Sequence, residues 1–269
     1  MDHLLVATDL SGSADRALAR TVLLARENGC RLTALHVLPP SGVGRRADRD
    51  AAERDVRTRL EATGAADAAV VISTGEAAAQ IGRQAELLDA DLIVIGAHGA
   101  DGLVDLLRGA TAERLSRAAP TPVLVVGDRP AAPYREVVVG ADPTGVWKAA
   151  AESAFGLMEG GTVRLVQAFD LPFAGSRAEA VADAQRAAEA GLHEAASGLA
   201  APPGVKVETA VRQGAVLTVL REEVGRTGAD LLAVGTHGRT GVAHAFLGSV
   251  AEALLRDPPC DLLVARGGR

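Results

Sequence analysis

The chain has 269 residues, of which 48% are hydrophobic, 23% charged and only 2% aromatic, enough for one large domain or two of about 130 residues. That balance is globular and not disordered, and a net charge of −6 with a pI near 5.6 excludes the basic footprint of a nucleic-acid protein and adhesion to anionic membranes. No stretch approaches 18 unbroken apolar residues and MDHLLVATDLSGS is no signal peptide, so a cytoplasmic protein without a membrane span is expected.

The first apolar run, 3–8, predicts a strand, and Ser11-Gly12-Ser13-Ala14-Asp15 then reads as the start of a helix over 13–28. Apolar runs follow at 31–37, 68–73, 91–96 and 122–126, separated by longer polar, alanine-rich stretches. Gly127, Pro130 and Pro133 punctuate the next segment, so residues 129–135 are the expected linker between a domain at 1–128 and another at 136–269. Beyond it the runs return at 136–141, 162–168, 205–211, 230–235 and 260–265, with a long helical stretch over 177–199. These runs are continuous and rich in Val, Ile and Leu, as strands buried on both faces are. Strand alternating with helix predicts a doubly wound α/β unit, its parallel sheet covered by helices on both faces. Cys30 and Cys260 each flank a strand run and read as buried thiols in a reducing compartment.

The chain is written twice. DHLLVATD (2–9) matches REVVVGAD (135–142), RLTALHVLPP (31–40) matches VRLVQAFDLP (163–172), DADLIVIGAHG (89–99) matches GADLLAVGTHG (228–238), and APTPVLVVGD (119–128) matches PPCDLLVARG (258–267). The repeat is a whole domain, too long for a solenoid module. Ligands of such folds bind beyond the carboxyl ends of the strands.

In the second repeat Val234-Gly235-Thr236-His237-Gly238 leaves the fourth strand, and nine residues later Gly248-Ser249-Val250 opens a helix. Glycine lets a ligand approach the backbone, and a helix N-terminus offers free N–H groups and a positive dipole end to a phosphate. Two other readings of the same residues stand beside this: the glycines only make turns, and Ser249-Val250-Ala251-Glu252 is only a capping box. A Walker A sequence is absent. His98 and His237 have no nucleophile or orienting carboxylate at a local spacing, so contact with a phosphate or the backbone is expected of them and no catalytic residue is assigned. Asp9 and Asp142, at the ends of the first strands, read as ligand or helix-capping carboxylates. Trp147 reads as packing.

The G-x2-G-x9-G-(S/T) pattern, the Asp after the first strand, Leu-His-Val at 35–37 and Gly-x-His-Gly in both repeats resemble the universal stress protein family over nearly the whole chain. The resemblance implies a five-stranded parallel sheet in each domain, with pairing through the last strand either within the chain or in a homodimer. It implies ATP binding with a divalent cation, here Mg2+ through the phosphates, in a sensor or regulator that is not an enzyme. A slow ATPase or phosphotransferase and a nucleotide-free scaffold are the alternatives. Carried onto the second repeat, Gly140, Ala141 and Asp142 would meet the adenine and ribose, and Ala168 the base. Val234 and Gly235 would lie under the ribose and phosphates, with His237, Gly238, Gly248, Ser249 and Val250 on the triphosphate. In the first repeat the corresponding set is Asp9, Val37, Gly96, His98, Gly99, Gly109 and Thr111. There Ala110 stands in the place of Ser249, and Asp101, Asp105 and Arg108 make the intervening loop negative where Arg239 makes its counterpart positive. The second repeat is therefore the expected principal site, and the first the weak one.

Overall fold

A computed structural model describes residues 1–40, 46–97, 110–127, 132–169, 178–236 and 247–266. The chain divides into two compact units, Met1–Pro133 and Tyr134–Arg269. The division falls inside the expected linker. Tyr134 is fully buried in unit 2, where its hydroxyl donates to Asp261 Oδ2 at 2.6 Å.

Unit 1 runs β1 (His3–Thr8), α1 (Gly12–Asn28), β2 (Arg31–Leu38), α2 (Arg46–Ala62), β3 (Ala69–Thr74), α3 (Ala77–Leu87), β4 (Leu92–Gly96), α4 (Ala110–Ala118) and β5 (Val123–Val126). Its strands lie in the order β3-β2-β1-β4-β5, all parallel. Leu4 pairs with Leu32 on one side and Leu92 on the other. Leu4, Leu5, Val6, Ile93 and Val94 are fully buried, because helices cover both faces of the central strands.

Unit 2 repeats the plan with β6 (Glu136–Ala141), α5 (Trp147–Phe155), β7 (Gly161–Phe169), α6 (Ala178–Ser197), β8 (Val205–Gln213), α7 (Val216–Thr227), β9 (Leu231–Thr236), α8 (Ser249–Arg256) and β10 (Asp261–Arg266). The order is β8-β7-β6-β9-β10, again parallel. Each predicted strand appears, with ends shifted by at most a residue or two, since hydrophobic runs mark burial and not the last ladder bond.

The cysteines depart from expectation. Both are free but only half-buried, and the Cys30 thiol donates to the Met1 carbonyl at 2.9 Å. Each stands at a loop before its strand, where the chain is still emerging from the core. Partial burial pushes the Cys30 thiol above its ordinary pKa.

In each unit the order of connection reverses between two central strands, β1 and β4 in unit 1 and β6 and β9 in unit 2. In folds of this kind the helices diverge at that point and a crevice opens at the carboxyl ends of the strands, as it does in unit 1.

Candidate functional site at the strand ends

In unit 1 the crevice is an open cleft holding about 790 Å³ of space, counting the part open to solvent. Ala7, Thr8 and Asp9 come to it from the end of β1, Leu35 and Val37 from β2, and Ile95, Gly96 and Ala97 from the end of β4. The first turns of α1, α3 and α4 close it with Ala14, Ala77 and Thr111. Four residues chosen from the sequence, Asp9, Val37, Gly96 and Thr111, thus share one cleft. His98, Gly99 and Gly109 lie outside the described residues.

In unit 2 the chosen residues also gather at the carboxyl edge. Gly140 and Ala141 end β6, and Gly140 is the direct cross-strand partner of Val234. Asp142 follows β6, Ala168 is the penultimate residue of β7, and Gly235 is the penultimate residue of β9. Gly248, Ser249 and Val250 form the start of α8. His237 and Gly238 lie outside the described residues.

The carboxylates after the first strands are not helix caps. Asp9 Oδ1 accepts from the N–H and hydroxyl of Ser11, at 3.0 and 2.5 Å. Asp142 Oδ1 accepts from the N–H and hydroxyl of Thr144, at 2.8 and 2.5 Å. Both build the same Asx turn, and the Asp-x-(Ser/Thr)-Gly pattern present in both repeats was its signal. Ser11 is the N-cap of α1, its hydroxyl accepting from the Ala14 N–H at 3.2 Å. The turns differ in one respect. Leu10 takes the left-handed φ of 65°, held by its N–H on Thr8 Oγ1 and by the Arg59 guanidinium on its carbonyl. Its counterpart is Pro143, whose ring forbids that conformation.

The capping-box reading of Ser249 is also corrected. Gly248, in extended backbone with φ −67° and ψ 149°, is the N-cap of α8, and no side chain caps the helix. Ser249 is the first helical residue and is exposed. Its hydroxyl is therefore one place too late to cap its own helix, and among the described residues it has no hydrogen-bond partner.

Capping sets the two units apart. In unit 1 the start of α3 is occupied by its own N-cap, Glu76, whose carboxylate accepts from Ala78 N at 3.2 Å and Ala79 N at 2.8 Å and pairs with Arg114 at 3.2 Å. The Ala79 N–H bond is the chief cause holding the Glu76 carboxyl below its ordinary pKa. In unit 2 the residue at the matching place, after Gly214, is Ala215, and α7 has no side-chain cap. Nor has α5, whose N-cap is Val146. The first turn of α1 carries Asp15, paired with Arg59 at 2.8 Å, whereas α5 carries the exposed Lys148 at that place. Neither contrast is visible in the glycine motif, because Glu76, Ala215, Asp15 and Lys148 all lie outside it.

The glycine ending the fourth strand serves packing. A Cβ on Gly96 would stand 2.3 Å from Ser13 Oγ and 2.7 Å from the Ser13 carbonyl carbon, and one on Gly235 would stand 2.9 Å from Val146 Cγ1. Each strand end thus lies flat against the start of the first helix of its unit. Since Ser13 and Val146 correspond, so do the next residues, Ala14 and Trp147. Ala14 lines the cleft of unit 1, and Trp147 is buried at 2% exposure, in agreement with its reading as packing.

Among the described residues no group of His, Cys, Asp or Glu could hold a metal ion by itself, and no helix is long and apolar enough to cross a membrane.

The sequence profile of the universal stress protein family matches residues 1–127 and again residues 133–266. A universal stress protein of Methanocaldococcus jannaschii is 36% identical over 63 residues, 23% of this chain and 37% of that protein. A Staphylococcus epidermidis relative is 42% identical over 65 residues, 23% of this chain and 39% of that protein. The chain therefore matches about two fifths of the length of these curated relatives. Among solved structures, a universal stress protein from Archaeoglobus fulgidus superposes with a TM-score of 0.70 at 19% identity, covering 99% of this chain and 98% of that one. A functionally unknown protein of Pseudomonas aeruginosa does so with a TM-score of 0.62 at 21% identity, covering 99% and 93%. At such identities the structural likeness speaks for the fold.

Proposed function

The chain belongs to the universal stress protein family, with two such domains in tandem, and on that premise we propose that it is a cytoplasmic regulatory protein that binds ATP chiefly in unit 2. The observation that carries the reading is the state of the helix N-termini in unit 2. α5, α7 and α8 all begin at the strand-end side with no side-chain cap. Uncapped N–H groups need partners, and at the positive end of a helix dipole an anion is the natural one. In unit 1 the starts of α1 and α3 are already capped, by Ser11 and Glu76.

On this reading the Ser249 hydroxyl and the first N–H groups of α8 donate to phosphate oxygens. The extended Gly248 brings the backbone close, and Lys148 adds a cation at the start of α5. Asp142 keeps its Oδ2 for hydroxyl donors, because Oδ1 is committed to the turn. Mg2+ would be carried by the phosphates and completed by water, since no protein cluster competes for it among the described residues. The reading assigns binding and no chemical step to these residues. Regulation requires only that ATP favour one conformation or assembly over another.

Calorimetric titration of Mg2+–ATP into wild type, Ser249→Asp and Ala215→Glu tests it. Ala215→Glu gives α7 the self-cap that Glu76 gives α3. Both variants are expected to bind ATP at least about tenfold more weakly, the loss of one charge-assisted hydrogen bond. No heat from wild type, or undiminished binding by both variants, defeats the proposal.

A further inference from the structure

We propose that β8 of unit 2 is a docking edge for an extended acidic segment of a partner protein, held by backbone hydrogen bonds along the strand and by the cations beside it. The surface lies along the edge of the sheet, away from the strand-end face, and its use does not depend on nucleotide binding.

Position comes first. Among the described residues of unit 2, β8 is the outermost strand and pairs with β7 alone. It runs nine residues, Val205–Gln213, and an edge strand offers unpaired N–H and C=O groups to another chain. Side chains alternate along it, so Lys206, Glu208 and Arg212 share one face. Arg164 of β7 is the cross-strand partner of Glu208, and Glu223 and Arg226 reach the same face from α7, which packs on β7 and β6.

Charge comes second. Arg164, Lys206, Arg212 and Arg226 are paired there with two acids, Glu208 and Glu223. Glu208 meets Arg164 at 2.7 Å and Lys206 at 2.6 Å. Glu223, 3% exposed, is held by both Nε and Nη2 of Arg226, while Arg212 and Arg164 stand off at 3.5 and 3.7 Å. Two carboxylate oxygens thus serve three guanidiniums, and Arg164 Nε is buried without a hydrogen-bond partner. Four cations against two acids leave this face two negative charges short, on a chain whose net charge is −6. Lys206, Arg212 and Arg226 are exposed, so the surplus faces solvent.

Charges on an edge strand guard it against indiscriminate pairing. Here they also select a sign, since the cations repel a second β8 and attract carboxylates. An added acidic strand satisfies the backbone groups and supplies the missing anions together. The edge strand of unit 1, β3, has no charged residue over Ala69–Thr74, so the feature belongs to unit 2.

The probes are a fluorescent peptide alternating Glu and Val, a version with Gln for Glu, and a version with Pro for Val. Each is titrated into the full chain at low ionic strength and read by anisotropy. The proteins are wild type, Lys206→Glu, Arg212→Glu and, as a control of equal charge in unit 1, Arg57→Glu. The Glu-Val peptide is expected to bind wild type and Arg57→Glu alike, and to bind both β8 variants at least about tenfold more weakly, the loss of one charge-assisted contact. The Gln and Pro versions are expected to bind wild type at least about tenfold more weakly, one for want of charge and the other for want of N–H groups. Amide hydrogen exchange should slow over 205–213 when the Glu-Val peptide binds. The proposal is overturned if that peptide does not bind wild type, if the Gln or Pro version binds as well, if neither β8 variant weakens binding, or if the protected amides lie elsewhere. Sedimentation of the chain alone gives a last check: an assembly that Lys206→Glu and Arg212→Glu dissolve would seat a second copy on this edge and defeat the proposal.

Discussion

Replacing Gly96 by alanine separates two meanings of the strand-end glycine. If the residue is there only to admit a phosphate, Gly96→Ala weakens a ligand and leaves stability unchanged. The geometry says otherwise. The added Cβ would lie 2.3 Å from Ser13 Oγ and 2.7 Å from both the carbon and the oxygen of the Ser13 carbonyl. Ser13 is 7% exposed and sits in the first turn of α1, just past the Ser11 cap, so backbone and not a mobile tip must yield. Overpacking of this kind costs about 1–3 kcal/mol, and contact with helix backbone puts Gly96 near the upper end. At Gly235 the nearest atoms are Val146 Cγ1 at 2.9 Å and Val146 O at 3.1 Å, so a side-chain methyl takes the worst contact. Alanine also restricts the unfolded chain, which returns about 0.4–1 kcal/mol. The net expectation is a loss of about 2–2.6 kcal/mol for Gly96→Ala and about 0–1 kcal/mol for Gly235→Ala. Urea unfolding of the full chain, followed by circular dichroism and by the fluorescence of Trp147, the sole tryptophan, measures both. A Gly96→Ala protein as stable as wild type would refute the packing argument.

Three further outcomes are expected. Glu76→Ala removes the α3 cap and should cost about 1 kcal/mol at pH 7. Because the folded carboxyl titrates below its unfolded value, this stabilisation is complete above the unfolded pKa, and in urea titrations the gap between wild type and variant should close as the pH falls below about 4. Glu223, 3% exposed on α7, is held below its ordinary pKa first by the Arg226 side-chain hydrogen bond and then by the charges of Arg212, Arg226 and Arg164. Glu223→Gln leaves those guanidiniums without their shared anion and should cost about 3 kcal/mol at neutral pH, with the difference again vanishing in acid; equal midpoints at pH 7 would contradict the network's role. Tyr134→Phe strips the 2.6 Å hydrogen bond from buried Asp261 and should lower stability by about 1–3 kcal/mol, read as a shifted thermal midpoint.

The fold was legible because its two signals are long and redundant. Ten apolar runs of the right length, punctuated by amphipathic stretches, leave few arrangements other than two parallel sheets, and the duplication let each repeat check the other. Val137-Val138-Val139 predicts β6 from hydrophobicity alone, and the structure buries all three. Placement was legible as well, since Asp9, Val37 and Gly96 near strand ends and Thr111 at the start of α4, all chosen from the sequence and its family resemblance, line one cleft. Illegible was what each residue does there. The Asp9 and Asp142 carboxylates are turned back onto their own loops by hydroxyls two residues on, a local competition that spacing against a distant motif does not show. Ser249 missed its cap because a helix begins where the backbone leaves the extended region, and here that occurs at Gly248.

The deeper difference between the repeats lies outside the glycine motif on which sequence comparison fastens. A helix start is an electrostatic vacancy, and one residue decides whether the chain fills it or leaves it for a ligand. Glu76 fills the start of α3 with a carboxylate, and Ala215 leaves the start of α7 open. Asp15 and Lys148 carry that contrast to the first helix of each unit, and Ala14 and Trp147 turn it into one of volume. Substitutions of this sort leave the strands themselves unchanged, yet they alter the charge that each face presents. A duplicated domain can therefore keep one architecture while its two strand-end faces differ in charge and volume. Exchanging Glu76 and Ala215 between the units should move phosphate affinity with the alanine, whatever the glycines do.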